Sequence, residues 1–342
     1  MNFAMKLFRA LPQEGNLFFS PTSVQLALAR LALGAAGKTK SEILWAIENA
    51  SVDHDFSDVV EVANSIFYDR NIFLREDYLT MMEKIGGLEI VDFVNFPDDT
   101  RKRINAWVAK TTHEKITDLL SPGSIDSRTR VALVNAIYFK ADWELAFNPA
   151  ETQERDFTTE NGQIVQVPMM YHENKTFRYF QDDIMQVLLM PYKGCRFARI
   201  YFLPNPGVSL QQAEEHVVHL RTEQIMASLQ FEPEITVYVP KTKMEWGTES
   251  LKLALEQLGI HEAFSDAADF SVMDSGKVSD VFHQACIEDN EKGSVAAAAT
   301  AVVMKSLAID PQIIFNANRP FFFSIIDKKT YEHLFLGRYV NP

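Results

Sequence analysis

An alanine-rich run near the C-terminal end constrains the fold more than any other stretch of this chain. Residues 291–308 read Glu-Lys-Gly-Ser-Val-Ala-Ala-Ala-Ala-Thr-Ala-Val-Val-Met-Lys-Ser-Leu-Ala, with no charge, glycine, proline or aromatic ring between Ser294 and Met304. Alanine favours helices whereas valine and threonine favour strands, so local preference does not decide between the two. As a strand, the run could enter a crowded sheet without burying an unpaired charge. The simplest alternative is an ordinary buried helix or strand.

Composition and charge exclude several functional classes. The chain has 342 residues, of which 47% are hydrophobic and 23% charged, as in ordinary soluble globular proteins. We find no linker and no repeat, so we expect a single domain over residues 1–342 rather than the two that length alone suggests. The formal net charge of −13 argues against nucleic acid as a partner, and no apolar run is long enough to span a membrane.

Signals for the cellular compartment point in two directions. Residues 1–10 form an amphipathic pattern without the apolar core of a signal peptide, which leaves a cytoplasmic protein open. Two N-glycosylation sequons begin at Asn49 and Asn174, and we favour a secreted or extracellular glycoprotein. Cys195 and Cys286 lie in apolar, strand-like runs, where we expect buried thiols rather than a disulfide framework.

No pattern in the sequence assembles catalytic or cofactor chemistry. Gly37-Lys-Thr lacks the earlier glycine and the preceding strand that a phosphate-binding loop needs. His216 and His219 have the spacing of two metal ligands on a helix, but the two glutamates before them favour a solvated helix face. There is no nucleophile elbow, zinc-protease motif or dinucleotide fingerprint. We therefore expect no enzyme, no cofactor and no metal site.

Helical and strand patterns are unevenly distributed along the chain. Helical patterns cover residues 2–9, 21–33, 39–48, 76–85, 104–116, 210–229 and 248–258. Strand patterns cover residues 16–20, 62–67, 88–93, 130–139, 165–191, 196–203, 234–239, 277–287, 313–315, 321–326 and 333–339. Because helices cluster in the first half and strands in the second, the predicted class is α+β with large, mostly antiparallel sheets.

Seven motifs, in a fixed order along nearly the whole chain, resemble those of inhibitory serpins. They are Asn16-Leu-Phe-Phe-Ser-Pro-Thr-Ser-Val, Leu33-Gly-Ala-Ala-Gly-Lys-Thr, Leu133-Val-Asn-Ala-Ile-Tyr-Phe-Lys-Ala-Asp-Trp, Pro191-Tyr-Lys-Gly, Glu291-Lys-Gly-Ser-Val-Ala-Ala-Ala-Ala-Thr, Arg319-Pro-Phe-Phe-Phe and Leu336-Gly-Arg-Tyr-Val-Asn-Pro. The resemblance implies the serpin fold, with three mostly antiparallel sheets, about eight or nine helices and an exposed reactive-centre loop over about residues 291–313.

The resemblance also implies roles for individual residues. The hinge of the loop would comprise Glu291, Lys292, Gly293, Ser294, Val295, Ala296, Ala297, Ala298, Ala299 and Thr300. A cluster that controls opening of the central sheet would comprise Ser20, Ser23, Asn135, Trp143 and His283, with Trp143 and Glu291 near the end where the loop first enters. Val295 replaces the usual acidic residue at an outward-facing position, so we expect little effect.

The family's usual loop length places the reactive bond between Leu307 and Ala308, with Val303, Met304, Lys305 and Ser306 before it. The implied function is suicide inhibition of a serine protease. The protease nucleophile attacks the loop and forms an acyl-enzyme, and the cut loop then inserts into the central sheet. An apolar Leu307 suits a chymotrypsin-like or elastase-like enzyme. Val303 or Met304 could instead serve a papain-like cysteine protease, and a non-inhibitory carrier or chaperone also stays open.

One segment departs from the family pattern. Between Glu42 and Asn64 the chain is shorter than usual, at the place where the family's fourth helix would lie. Because that helix carries the basic residues of heparin-activated members and this chain is acidic, we do not expect activation by heparin. We expect a monomer, although the exposed edge Val302-Val303-Met304 could join the opened sheet of a second molecule and form loop–sheet polymers.

Overall fold

The described α-helices lie in the first third of the chain and again between residues 210 and 257. A computed structural model describes residues 1–48, 50, 59–273, 276–293 and 313–342. The described α-helices are α1 (Phe3–Ala10), α2 (Pro21–Gly34), α3 (Gly37–Ala46), α4 (Glu76–Ile85), α5 (Pro97–Thr111), α6 (Leu210–Val217), α7 (Thr222–Ser228) and α8 (Lys252–Gln257). Short 3-10 helices occur at Pro149–Glu151 and Glu262–Phe264.

The described strands form two hydrogen-bonded sheets, so the predicted α+β class is confirmed. They are β1 (Leu17–Phe19), β2 (Val60–Asp69), β3 (Leu88–Val91), β4 (Val131–Phe139), β5 (Gln153–Thr158), β6 (Ile164–Gln181), β7 (Met185–Pro191), β8 (Phe197–Pro204), β9 (Gln230–Pro240), β10 (Lys243–Ser250), β11 (Asp280–Glu288), β12 (Ile314–Asn316), β13 (Phe321–Asp327) and β14 (His333–Tyr339). One sheet has the order β1-β14-β13-β8-β7-β6-β9-β12, with β5 also paired to β6. The other sheet has the order β10-β11-β4-β2-β3.

The expected three sheets are two in the described part of the chain because the long strand β6 is shared. The first part of its 18 residues pairs with β5, its last residues pair with β7, and β9 pairs with the part between Met169 and Tyr179. The pairing with β9 shifts register between His172 and Phe177, and such bulges bend a strand. Two strand neighbourhoods therefore meet in one continuous sheet of nine strands.

The five-stranded sheet lies between helices, and its middle strand β4 is buried along all nine residues. On one face, Ile104 and Val108 of α5 pack with Ala132 and Val134 of β4. The opposite face belongs to the core cluster that contains helix α2. Because both faces are covered, β4 reads as the continuous apolar run that predicted a central strand.

Helix α2 is positioned by its first residues. Pro21 occupies the first turn, where its missing N–H is harmless, and the Ser20 side chain accepts a hydrogen bond from the backbone N–H of Ser23. Leucines and alanines on nearly every side of α2 are buried, so the helix lies within the core and brings its N-terminus against the five-stranded sheet.

Several predicted element boundaries are wrong. Helix α5 begins at Pro97 rather than at residue 104, because Pro97 with two acidic residues in the first turn starts a helix before its apolar stripe appears. The expected helix over residues 210–229 is two helices, since α6 ends at Val217 and α7 begins at Thr222. Residues 248–250 belong to strand β10 and not to a helix. Strands β5 and β10 were missed, and β5 buries only Phe157, so it shows no alternation.

The two cysteines differ in environment, and both thiols are free. Cys286 is buried on β11, as predicted. The prediction for Cys195 is wrong, because Cys195 is exposed in the turn between β7 and β8, where its φ is 57°. Asn174 is exposed at the bulged part of β6, with φ 48°, whereas Asn49 lies outside the described residues. Glycosylation of both stays a prediction.

The candidate metal pair does not share a helix, because α6 ends before His219. The His216 Nε2 atom lies 3.4 Å from a carboxylate oxygen of Asp182. The described residues hold no group of three His, Cys, Asp or Glu side chains that could bind a metal ion. Over the same residues, no helix combines the length and the apolar character needed to cross a bilayer.

Residues 47–59 connect α3 to β2, and residues 49 and 51–58 of this connection lie outside the described ranges.

Candidate functional site

The site centres on the junction between β4 and β11, which we call the seam. The two strands are parallel, with Asp280 opposite Ala132 and Cys286 opposite Tyr138, and they bond to each other directly. A chain that turns back after β11 would run antiparallel to both strands. Such a strand, placed in the seam, would replace one parallel ladder by two antiparallel ladders, which are slightly more stable per residue. The seam can therefore accept one further strand if it opens.

The upper end of the seam, formed by residues 141–147 and 290–293, is held by backbone contacts. The N–H of Trp143 donates to the carbonyl of Lys292 at 2.7 Å, and the N–H of Phe147 donates to that of Glu291 at 2.6 Å. The indole Nε1 of Trp143 donates to the carbonyl of Asn290 at 3.2 Å. Because these bonds join the segment after β4 to the segment after β11, a strand can enter the seam only after they break.

Gly293 is required at this end by a close backbone approach. Its φ is 144°, and it forms an antiparallel bridge with Asp142. A Cβ atom on residue 293 would lie 2.2 Å from the carbonyl oxygen of Ala141 and 2.4 Å from the Cα of Asp142. Both atoms belong to the backbone, so no side-chain movement could relieve the clash. The sequence predicted a hinge at Gly293 from the backbone freedom of glycine alone, whereas the close approach of residues 141 and 142 explains why no other residue fits here.

Glu291 is a polar anchor beside Gly293. One of its carboxylate oxygens accepts a hydrogen bond from the Thr152 hydroxyl at 2.7 Å and lies 2.8 Å from the Lys241 ammonium. Partial burial alone would raise the pKa of Glu291, but the bonds from Lys241 and Thr152 hold it below its usual value. Glu291 is therefore ionised at neutral pH and ties the chain just before Gly293 to Thr152 and Lys241.

Four of the predicted cluster residues meet in one buried network at the middle of the seam. His283 of β11 and Asn135 of β4 are opposite each other in register, and their Nδ1 and Oδ1 atoms lie 2.5 Å apart. The Asn135 amide donates to the Ser23 hydroxyl at 2.5 Å, and the backbone N–H of Ser20 donates to His283 Nε2 at 3.1 Å. The network therefore crosses the seam and fastens it to the N-terminus of α2. Its role in sheet opening stays a prediction.

The network fixes the protonation of His283. Since Nε2 accepts from a backbone N–H, the neutral ring must carry its proton on Nδ1 and donate it to Asn135. The side chain is completely buried, and this burial lowers its pKa from 6.5 to about 3. A second proton would place an N–H on Nε2 against the N–H of Ser20. The closed seam therefore requires a neutral His283.

The sequence-based prediction missed a buried ion pair behind the upper end of the seam. Arg199 of β8 is 1% exposed, and Asp289, which follows β11, is 3% exposed. Their four charged atoms form a bidentate pair, with nitrogen–oxygen distances of 2.6 and 2.8 Å. Burial alone would lower the pKa of Arg199, but the Asp289 carboxylate raises it well above its usual value. A lone arginine inside the apolar run Phe197–Pro204 was the signal that could have found the pair.

The remaining predicted site residues lie outside the described part of the chain. They are the hinge residues Ser294–Thr300, the flanking residues Val303, Met304, Lys305 and Ser306, and the reactive bond Leu307–Ala308. Trp143 belongs to the upper end of the seam with Glu291, where its hydrogen bonds lead to Asn290 and Lys292. The structure thus brings the described candidates to two places along one seam.

A comparison with known families identifies the chain's relatives. A family model described as serpin (serine protease inhibitor) matches residues 1–342. The chain is 33% identical to the leukocyte elastase inhibitor of Bos taurus, over 99% of this chain and 97% of that protein. It is also 33% identical to human serpin B3, over 96% of this chain and 94% of that protein. For Antithrombin-III of Mus musculus the identity is 32%, over 100% of this chain and 79% of that protein.

Solved structures of similar fold agree with these relatives. The native-state crystal structure of the thermophilic serpin tengpin superposes with a TM-score of 0.88 at 26% identity, covering 100% of this chain and 92% of that one. A thyroxine-binding globulin in complex with thyroxine superposes with a TM-score of 0.85 at 27% identity, covering 100% and 97%. The fold that the motifs implied is therefore confirmed.

Proposed function

The chain belongs to the serpin family of serine protease inhibitors, and from that premise we propose that it traps a serine protease as a suicide substrate. The observation that carries the proposal is the direct parallel pairing of β4 and β11, beside the segment from which the alanine-rich run departs. A run of small, uncharged side chains after Gly293 suits entry into a seam whose neighbouring strands are buried.

The protease supplies the nucleophile that cuts the loop, and this chain supplies the loop insertion that traps the protease. The protease nucleophile attacks the reactive bond and forms an ester or thioester to the residue before the cut, which releases the following residue as a free amine. The cut loop then inserts into the seam and draws the attached protease with it. Because insertion replaces one parallel ladder by two antiparallel ladders, the inserted form is more stable than the native form, which is held by a kinetic barrier.

The proposed reactive bond is Leu307–Ala308. An apolar residue before the cut suits a chymotrypsin-like or elastase-like pocket, and the relatives named leukocyte elastase inhibitor favour an elastase-like target. A papain-like cysteine protease is the alternative within this mechanism, with Val303 or Met304 filling its main specificity pocket. Lys305 would suit a trypsin-like enzyme, but it lies two residues before Leu307.

The test uses denaturing gels after incubation of the intact protein with elastase, chymotrypsin, trypsin and papain. We expect an SDS-resistant complex with elastase or chymotrypsin, and mass spectrometry should place the new end after Leu307. A matched variant, Leu307→Arg, should move complex formation to trypsin, because a basic residue before the cut fits the trypsin pocket. A cut outside residues 303–308, or no covalent complex with any of these enzymes, would refute the proposal.

A carrier function is the second candidate, and the likeness to a thyroxine-binding globulin solved with thyroxine is the observation that supports it. A carrier would be cleaved as an ordinary substrate and would form no covalent complex. Thermal unfolding separates the two functions further. The melting temperature of a trap rises strongly after loop cleavage, because the inserted loop adds a further strand to the five-stranded sheet.

A further inference from the structure

The Arg199–Asp289 ion pair connects the two sheets at the upper end of the seam. Arg199 lies in the nine-stranded sheet, whereas Asp289 is the first residue after β11 of the five-stranded sheet. The backbone N–H of Asp289 donates to the carbonyl of Thr242 at 2.7 Å, and the Thr242 hydroxyl donates to the Asp289 carboxylate. The end of β11 is thus fixed from both its backbone and its side chain.

Arg199 also touches the opposite side of the seam. Its guanidinium lies 5.3 Å from the ring centroid of Trp143, in the segment that follows β4, and 4.6 Å from that of Phe323. Trp143 in turn stacks on Tyr192, with centroids 4.5 Å apart and planes inclined by 10°. One buried cation therefore holds Asp289 on the β11 side by charge and Trp143 on the β4 side by cation–π contact.

We propose that the Arg199–Asp289 pair is a positioning latch that keeps the upper end of the seam closed until the loop is cut. The latch prevents insertion in the absence of protease and so preserves the active form. This proposal rests on the proposed function, since it concerns the same seam, but it assigns a role to two residues outside the hinge and outside the four-residue network.

The charges explain why loss of one partner should open the seam. If Arg199 is removed, the Asp289 carboxylate is left buried without its counter-charge, and the lowest-energy remedy is for it to move to water. Asp289 directly precedes the turn 290–293, so its movement carries away the carbonyls that bond to Trp143 and Phe147. If both charges are replaced by apolar residues, no such force arises, because paired removal of a buried ion pair is often neutral.

The test measures how fast the intact protein takes up a strand in trans. The probe is a fluorescent synthetic peptide with the sequence of residues 294–305, and its incorporation is followed by native gel. We expect Arg199→Met to accelerate incorporation by about tenfold or more, a barrier change of about 1.4 kcal/mol or more. The double variant Arg199→Met/Asp289→Val should return the rate to within about threefold of the wild type.

The chain offers a matched control away from the seam. Arg338 of β14 and Glu214 of α6 form another buried bidentate pair, with nitrogen–oxygen distances of 2.6 and 2.9 Å. The variant Arg338→Met should lower the thermal midpoint as Arg199→Met does, because it too leaves a buried carboxylate unpaired. It should leave the rate of peptide incorporation unchanged, which a general loss of stability would not allow.

The outcomes separate the latch from the function on which it rests. Selective acceleration by Arg199→Met, reversed in the double variant, supports the latch. Equal acceleration by Arg338→Met, or no acceleration by a folded Arg199→Met, overturns the latch even if the wild type traps a protease. A wild type that incorporates the peptide but traps no protease contradicts the proposed function alone. If neither the wild type nor any variant incorporates the peptide, the latch and the inserting seam are both wrong.

Discussion

Lowering the pH from about 7 to about 5 should weaken the middle of the seam, because His283 lies there completely buried in its neutral form. The sign follows from the direction of the shift. Burial lowers the pKa of His283 from 6.5 to about 3, so the unfolded or opened form binds a proton more tightly than the closed form. The stabilisation is complete above pH 6.5 and is lost progressively as the pH falls towards 3.

The magnitude follows from the same two values. A pH of about 5 is about 1.5 units below the pKa of His283 in the opened form, so that form is protonated, whereas the closed form still excludes the proton. At about 1.4 kcal/mol per unit, the closed form loses about 2 kcal/mol relative to the opened form. If the ring reaches water before the strand enters, this difference corresponds to about thirtyfold faster opening.

The assay is the rate at which the intact protein incorporates a peptide with the sequence of residues 294–305, measured at both pH values. The variant His283→Asn removes the titrating ring and should abolish most of the acid acceleration. His333→Asn is the matched control, because burial lowers the pKa of His333 to about 4, but its ring bonds to Thr222 and Ser324 away from the seam.

The control also separates opening of the seam from general acid instability. In urea unfolding, each of the two histidine variants should reduce the pH dependence of stability by about 2 kcal/mol. Only His283→Asn should alter the pH dependence of peptide incorporation. A wild-type rate that changes by less than about twofold between the two pH values would refute the reasoning, as would an equal effect of both variants.

Three further predictions concern the same seam. Gly293→Ala should destabilise the protein by roughly 2–4 kcal/mol in urea unfolding, because its Cβ would meet a backbone oxygen at 2.2 Å. Gly162→Ala, whose Cβ would meet nothing within 4 Å, should cost about 1–2 kcal/mol from its positive φ alone, and equal losses would contradict the contact argument. Asn135→Ala should cost roughly 2–3 kcal/mol in the same assay, because it leaves the buried Nδ1–H of His283 without its acceptor; a loss below about 0.5 kcal/mol would show that the bond is dispensable. Ser294→Arg should turn the inhibitor into a substrate, since insertion would bury a charge, and undiminished complex on a denaturing gel would count against insertion at that residue.

Much of the site could be predicted from the sequence because its signals are local. The alanine-rich run, Gly293 before it and the Ser20-Pro21 helix start are each contained within a few neighbouring residues. The apolar run of β4 likewise predicted a strand buried on both faces. The family motifs then implied which distant polar residues belong together, and the structure joins Ser20, Ser23, Asn135 and His283 in one network.

Other features depend on contacts between residues far apart in the chain, which local patterns do not encode. Arg199 stands out as a lone charge in an apolar run, but no local pattern identifies Asp289, 90 residues away, as the partner that makes its burial tolerable. The exposure of Cys195 follows from the end of β7 at Pro191, which leaves Cys195 in a turn. The last residues of β10, 248–250, were assigned to a helix, because local preference does not show that β10 pairs with β11. The sequence by itself determined that residues 294–304 could enter a sheet as a strand without burying a charge. Only the tertiary structure decided where that strand would fit, because the seam exists only once β4 and β11 lie side by side.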